Sequence, residues 1–178
     1  MRITYGVDTV PMNPEMQDLI DRFRTGRVPM LQFMKSMIEI KERAGVPSVE
    51  PELGKAVVAG RARHTEGRDL MAILLGAYGF ETIVVERDSS IEDIIGICND
   101  PDVTVLCMSI QTTYDISDLH LASRLMAEDG IRDRIVYNAG GVAVSEDVAK
   151  AVGCDVYGST AVDSAEAVKQ EVLRKNRS

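Results

Sequence analysis

From Lys55 to the C-terminus, short apolar runs alternate with longer amphipathic ones, and no other feature restricts the possible folds so strongly. Ala56–Gly60, Phe80–Val85, Val103–Met108, Arg134–Asn138 and Asp155–Tyr157 read as strands. Arg68–Tyr78, Ser90–Cys98, Ile116–Glu128, Glu146–Val152 and Ser164–Arg174 read as the helices that follow them. Gly79 closes the first of these, Asp88 or Ser89 caps the second, and Ser145 caps the fourth. Near-continuous Val/Ile/Leu runs without polar alternation belong to strands covered on both faces, as in a parallel α/β sheet. With right-handed crossovers the expected result is a flavodoxin-like (Rossmann-type) five-stranded sheet of order 2-1-3-4-5. Ligands of such sheets sit beyond the strands' carboxyl ends, at the switch point between the first and third strands. The loops Arg61–Gly67, Ser109–Tyr114, Ala139–Val144 and Gly158–Thr160 are therefore the ones to inspect.

The preceding residues read differently. Asn13-Pro14-Glu15 is a helix start, and Met16, Leu19, Ile20 and Phe23 form one apolar stripe that Gly26 ends. A second helix begins near Val28-Pro29, carries Leu31, Met34 and Ile38, and ends at Gly45-Val46-Pro47. Pro47–Gly54 reads as a linker. The expected division is a helical cap with linker over residues 1–53 and an α/β domain over 54–178. Two helices make a poor core, so the cap must pack on the main domain or on another copy.

Composition removes several function classes. The net charge is −8 and the pI near 4.8, with no basic block, so neither nucleic acid nor an anionic membrane suits this chain. Cys98, Cys107 and Cys154 are far apart in apolar surroundings and read as reduced core thiols. No apolar run approaches a membrane span and Met1–Thr9 has no signal-peptide pattern, so a soluble, cytoplasmic protein is expected. There is no Walker lysine, no G-x-G-x-x-G and no Ser-His-Asp or Cys-His nucleophile arrangement.

The loops hold the polar chemistry. His64, in Arg61–Gly67, falls at the mouth of the switch point, where a neutral imidazole suits a transition metal; an exposed loop histidine is the plainer reading. His120 lies within a helix and reads as a surface or packing residue. Ser109, Gln111, Thr112 and Thr113 offer hydrogen bonds to a polar ligand, or ordinary turn chemistry. Gly140-Gly141 would let a ligand approach the backbone closely.

In order and spacing these segments resemble the cobalamin-binding domain family. His64-Thr65-Glu66-Gly67, followed by Leu74–Glu81, is similar to its D-x-H-x-x-G region and the G-F-E/D strand beyond it. The Ser109 segment resembles its S-x-L motif, Gly140-Gly141 its paired glycines, and Gly153–Gly158 its G-A-D-x-Y end. Phe23–Arg27, Met30–Lys41 and Gly54–Val58 are similar to the helical cap of corrinoid methyl carriers, which serve methanol, methylamine and aryl-methyl-ether methyltransferase systems. The likeness spans about residues 20–172.

The resemblance implies a cobalamin or related corrinoid as cofactor, with His64 as cobalt's lower ligand. Thr65, Gly67, Ser109, Gln111, Thr113, Gly140, Gly141, Tyr157 and Gly158 would line the cofactor site, with Ser109 and Thr113 hydrogen-bonded to the nucleotide tail. It also implies a carrier subunit passing a methyl group between a substrate-specific and an acceptor methyltransferase. Four departures stand out: Ala62 replaces the aspartate that orients the histidine, the loop before His64 is a few residues shorter, Gln111 replaces the S-x-L leucine, and about two cap helices stand where four are usual. Glu66 or Asp69 could substitute for the missing carboxylate. The alternatives are the small subunit of an adenosylcobalamin-dependent mutase, and a degenerate module that binds no corrinoid. Apolar residues on the shortened cap further suggest a homodimer.

Overall fold

The computed structural model describes residues 12–44, 53–61 and 63–178. The Met1–Thr9 segment, the helix end at Gly45-Val46-Pro47, most of the linker, and Ala62 lie outside the described residues. The order is α1 (Pro14–Arg24), α2 (Met30–Ala44), β1 (Lys55–Gly60), α3 (Glu66–Ala77), β2 (Glu81–Val84) and α4 (Ile91–Cys98), then β3 (Val103–Ser109). A single 3-10 turn (Thr113–Asp115) leads into α5 (Ile116–Glu128), followed by β4 (Val136–Gly140), α6 (Glu146–Ala151) and α7 (Ala161–Asn176). All pairings are parallel and the strand order is β2-β1-β3-β4.

The α/β class and the 2-1-3-4 order match expectation; the fifth strand does not form. Asp155–Tyr157 makes only one isolated bridge, Asn138 to Val156. Side chains occupy the ladder positions instead. The Asp155 N–H donates to Tyr137 O at 2.8 Å, but the Tyr137 N–H donates to the Asp155 carboxylate at 2.7 Å rather than to a strand carbonyl. The Asn138 amide then donates to Val156 O at 3.1 Å.

Element boundaries moved where side-chain capping outweighed hydrophobic pattern. α4 is capped by Ser90, not by Asp88 or Ser89, through a reciprocal box in which the Asp93 N–H donates to Ser90 Oγ at 3.0 Å. α7 starts three residues before the expected Ser164, because Thr160 accepts from the Asp163 N–H at 3.1 Å. β4 lies two residues later than Arg134–Asn138, since residues 131–135 turn and the Ile135 N–H donates to Ile131 O. α1 follows its sequence signals: Asn13 Oδ1 accepts from the Glu15 N–H at 2.8 Å, and Gly26 adopts φ +72° beyond the helix.

Strand alternation divides the core. Val57, Leu106, Tyr137 and Ala139 face α4 and α5, whereas Val58, Cys107 and Val136 face α3 and α7. The cap adds a further layer to the second side. Met16, Leu19, Ile20, Phe33 and Met37 are buried in one cluster with Leu70, Leu74 and Val168. Arg24 binds Glu166 of α7 at 2.6 Å, and Phe23 stacks on Phe33 at 4.3 Å between ring centres. The cap thus packs on its own main domain. Most of the apolar surface that suggested a homodimer is covered within the chain; Leu31 (68%), Ile38 (46%) and Met30 (38%) stay exposed.

Candidate functional site

A cavity of about 360 Å³ opens at the carboxyl ends of β1, β3 and β4, beneath the first turns of α3 and α7. Strand register builds it in two tiers. Val58, Cys107 and Asn138 lie side by side across the three strands as its floor. Two residues further along, Ser109 pairs with Gly140 to form the rim. Met71 of α3 and the Gly158–Ala161 approach to α7 complete the walls.

The glycines have distinct geometric reasons. A Cβ on Gly158 would stand 2.3 Å from Ser164 N, so only glycine lets the chain lie against the first turn of α7. A Cβ on Gly67 would meet Ser109 Oγ at 2.9 Å. Gly141 has φ +105°, and a Cβ there would lie 2.1 Å from Ile110 O. Gly140 differs: a Cβ would meet no atom within 4 Å, so its α-carbon faces open space. That is a place where a ligand can lie against bare backbone.

Of the residues expected from sequence, the cavity gathers Gly67, Ser109, Gly140, Gly141, Tyr157 and Gly158. His64, Thr65, Gln111 and Thr113 are not on its wall. Thr113 is exposed in the 3-10 turn, and Gln111 is half-buried with its amide nitrogen 3.8 Å from where a Gly67 Cβ would be. His120 is exposed on α5. Sequence reading missed Asn138, Met71 and Ser164. Asn138 carried a signal, since an amide inside Ile135-Val136-Tyr137-Asn138-Ala139 interrupts an otherwise apolar buried strand.

No protein-family model matches the chain. Trimethylamine corrinoid protein 2 of Methanosarcina acetivorans is 27% identical over 173 residues, covering 88% of this chain and 77% of the relative. Trimethylamine corrinoid protein 1 of Methanosarcina mazei is 26% identical, covering 94% and 85%. The chain is similar in sequence to these corrinoid proteins. Solved structures share the fold. A cobalamin-binding protein from Desulfitobacterium hafniense DCB-2 superposes with TM-score 0.69 at 18% identity, over 87% of this chain and 77% of that one. The methanol:cobalamin methyltransferase complex of Methanosarcina barkeri gives 0.72 at 20% identity, over 89% and 63%.

His64 lies three residues before the cavity-lining Gly67, with its side chain 78% exposed. Its Nδ1 lies 3.9 Å from the Glu66 carboxylate, too far for a hydrogen bond but close enough for a small side-chain rotation to make one. Asp69, the other carboxylate considered for orienting the ring, is already held by Arg68 at 2.8 Å. Glu66 is therefore the available orienting group. Arg68 also donates to Val85 O at 2.9 Å, which pins the start of α3 to the end of β2.

The thiols are not poised for chemistry. Cys107, on the floor, and Cys98 are buried, and loss of water around the thiolate pushes Cys107 well up and Cys98 to about 12. Burial likewise raises Cys154 to about 12. Near pH 8 all three stay protonated, so the folded protein should react with a maleimide far more slowly than unfolded protein. Rapid labelling of Cys98 or Cys107 without denaturant, seen by peptide mapping, would contradict this burial.

Proposed function

We propose that this protein is a corrinoid-binding methyl carrier working between methyltransferases. The observation that carries the reading is the cavity itself. It lies at the switch point, its rim glycine opens backbone to a ligand, and an exposed histidine lies three residues before its Gly67 wall. About 360 Å³ accommodates a heteroaromatic base with its ribose but not a macrocycle, so the nucleotide tail would enter while the corrin ring rests outside near His64. When bound, a corrinoid supplies a cobalt centre on which a methyl group can be carried.

The chain's own residues bind, orient and exclude water. His64 would supply an imidazole nitrogen to a metal already held in a macrocycle, and Glu66, 3.9 Å from Nδ1, is the carboxylate that could close on the other nitrogen to orient the ring. Gly140 and Ser109 would border the tail, and the apolar side chains of Val58 and Met71 would keep water from beneath it. Thr65, Gln111 and Thr113, outside the cavity wall, remain candidates for contacts with the exposed part of the cofactor. The likeness to trimethylamine corrinoid proteins favours a methylamine-type methyl donor, with a substrate-specific methyltransferase and an acceptor methyltransferase as partners.

The expected outcome of incubation with hydroxocobalamin, then desalting, is near-stoichiometric corrinoid absorbance. Failure to retain any corrinoid, including after refolding with it, would refute the carrier reading. His64→Ala should change the visible spectrum of the bound cofactor and weaken retention by at least about tenfold; Glu66→Gln should weaken it less. Identical spectra and affinities for His64→Ala and the parent would remove His64 from the site.

A further inference from the structure

The floor of the cavity contains one amide side chain, Asn138, and its oxygen has no donor among the described residues. Asn138 is 3% exposed, on the edge strand β4 between Cys107 of β3 and the Val156 bridge. Its Nδ2 donates to Val156 O at 3.1 Å, which fixes the amide's orientation because a carbonyl there demands a donor. The Oδ1 atom is left with no donor among the described residues. A buried amide oxygen without a donor is costly to leave unpaired, so such an atom calls for a ligand or an ordered water. Around it Val58, Cys107 and Met71 are apolar or protonated and donate nothing of comparable strength.

We propose that Asn138 is a specificity residue that selects the tail base of the cofactor. Resting on the corrinoid reading above, the proposal is that Asn138 Oδ1 accepts a hydrogen bond from an N–H or O–H on the buried edge of that base. Two base chemistries offer such a donor, a purine with an exocyclic amine and a phenolic benzimidazole. A 5,6-dimethylbenzimidazole presents two methyl groups on that edge and leaves Oδ1 unsatisfied. The depth fits. Asn138 lies two residues below the Gly140 rim, roughly 6–7 Å along the strand, comparable with the long axis of a bicyclic base. The apolar residues flanking Asn138 suit a flat ring, and the lone acceptor suits one donor at its end.

The test compares the affinities of the full chain for adeninylcobamide, 5-hydroxybenzimidazolylcobamide and cobalamin, read from corrinoid absorbance at equilibrium. At least one donor-bearing cobamide should bind roughly tenfold or more tighter than cobalamin, and which of the two binds better identifies the donor. In Asn138→Leu the preference should fall to near parity, with folding checked by the melting curve of the ligand-free variant. The parent's own ranking decides the matter even if that variant misfolds. Equal affinities in the parent, or tightest binding of cobalamin, would overturn the selection while leaving the corrinoid reading intact. Retention of none of the three would overturn both.

Discussion

Asp155→Ala should lower the unfolding free energy by about 2–3 kcal/mol, a large effect for a residue outside any helix or strand. One carboxylate serves three partners. It accepts the Tyr137 backbone N–H at 2.7 Å, meets Arg132 at 3.0 Å, and lies 3.6 Å from Lys175 of α7. Tyr137 is fully buried at the edge of the sheet, so alanine leaves its N–H without an acceptor and Arg132 without its carboxylate. The Asp155 side chain is 19% exposed, so some water can enter, which keeps the loss near the lower end of the range. Asp155→Asn keeps an acceptor and should cost about half as much. Urea unfolding of the three proteins tests this, and a loss below about 0.5 kcal/mol for alanine would show that the strand-like pairing there contributes little. The same segment carries Tyr157 and Gly158 in the cavity wall, so corrinoid retention should fall in parallel with stability.

That carboxylate also shows where sequence reading reached its limit. Among the described residues periodicity located every α-helix and all four strands, because burying an apolar stripe or a Val/Ile/Leu run dominates the local energetics. It placed a fifth strand at Asp155–Tyr157 because three residues between two helical patterns match a short strand equally well. What decides against it is that the Asp155 and Asn138 side chains fill hydrogen-bonding positions a neighbouring strand would use. Periodicity does not encode such three-dimensional pairings.

The site was legible to a similar depth. Gly67, Ser109, Gly140, Gly141, Tyr157 and Gly158 converge because the topology brings strand ends together, and strand ends can be read from sequence. Asn138 went unnoticed as a site residue because its role depends on β4 starting at Val136, two residues later than expected. Moving the strand changes which atoms line the floor. The role of Glu66 was open on sequence alone, since choosing it over Asp69 required knowing that Arg68 holds Asp69.

The two adjacent glycines should fail in opposite ways, and this contrast separates binding from folding. Gly140→Leu should leave the unfolding free energy within about 1 kcal/mol of the parent, because its Cβ meets no protein atom within 4 Å and its φ is not positive. The rest of the side chain then occupies the rim beside Ser109, where the tail would pass, so corrinoid retention should drop about a hundredfold or vanish. Gly141→Ala should do the reverse at the level of folding. A residue with a Cβ resists φ +105°, and here that Cβ would overlap Ile110 O at 2.1 Å. Ile110 cannot easily withdraw: its N–H donates to Gly140 O at 2.8 Å, and its carbonyl accepts from the Ala143 N–H. Strain and overlap together should cost about 3 kcal/mol or more, with binding lost as the loop distorts. Gly26→Ala is the control, since φ +72° with no atom within 4 Å leaves only the conformational term, about 1–2 kcal/mol. Urea unfolding and corrinoid retention on all three variants read both quantities. If Gly140→Leu still held the cofactor at parental affinity, the cavity would not be the tail's site, whatever the behaviour of Gly141→Ala.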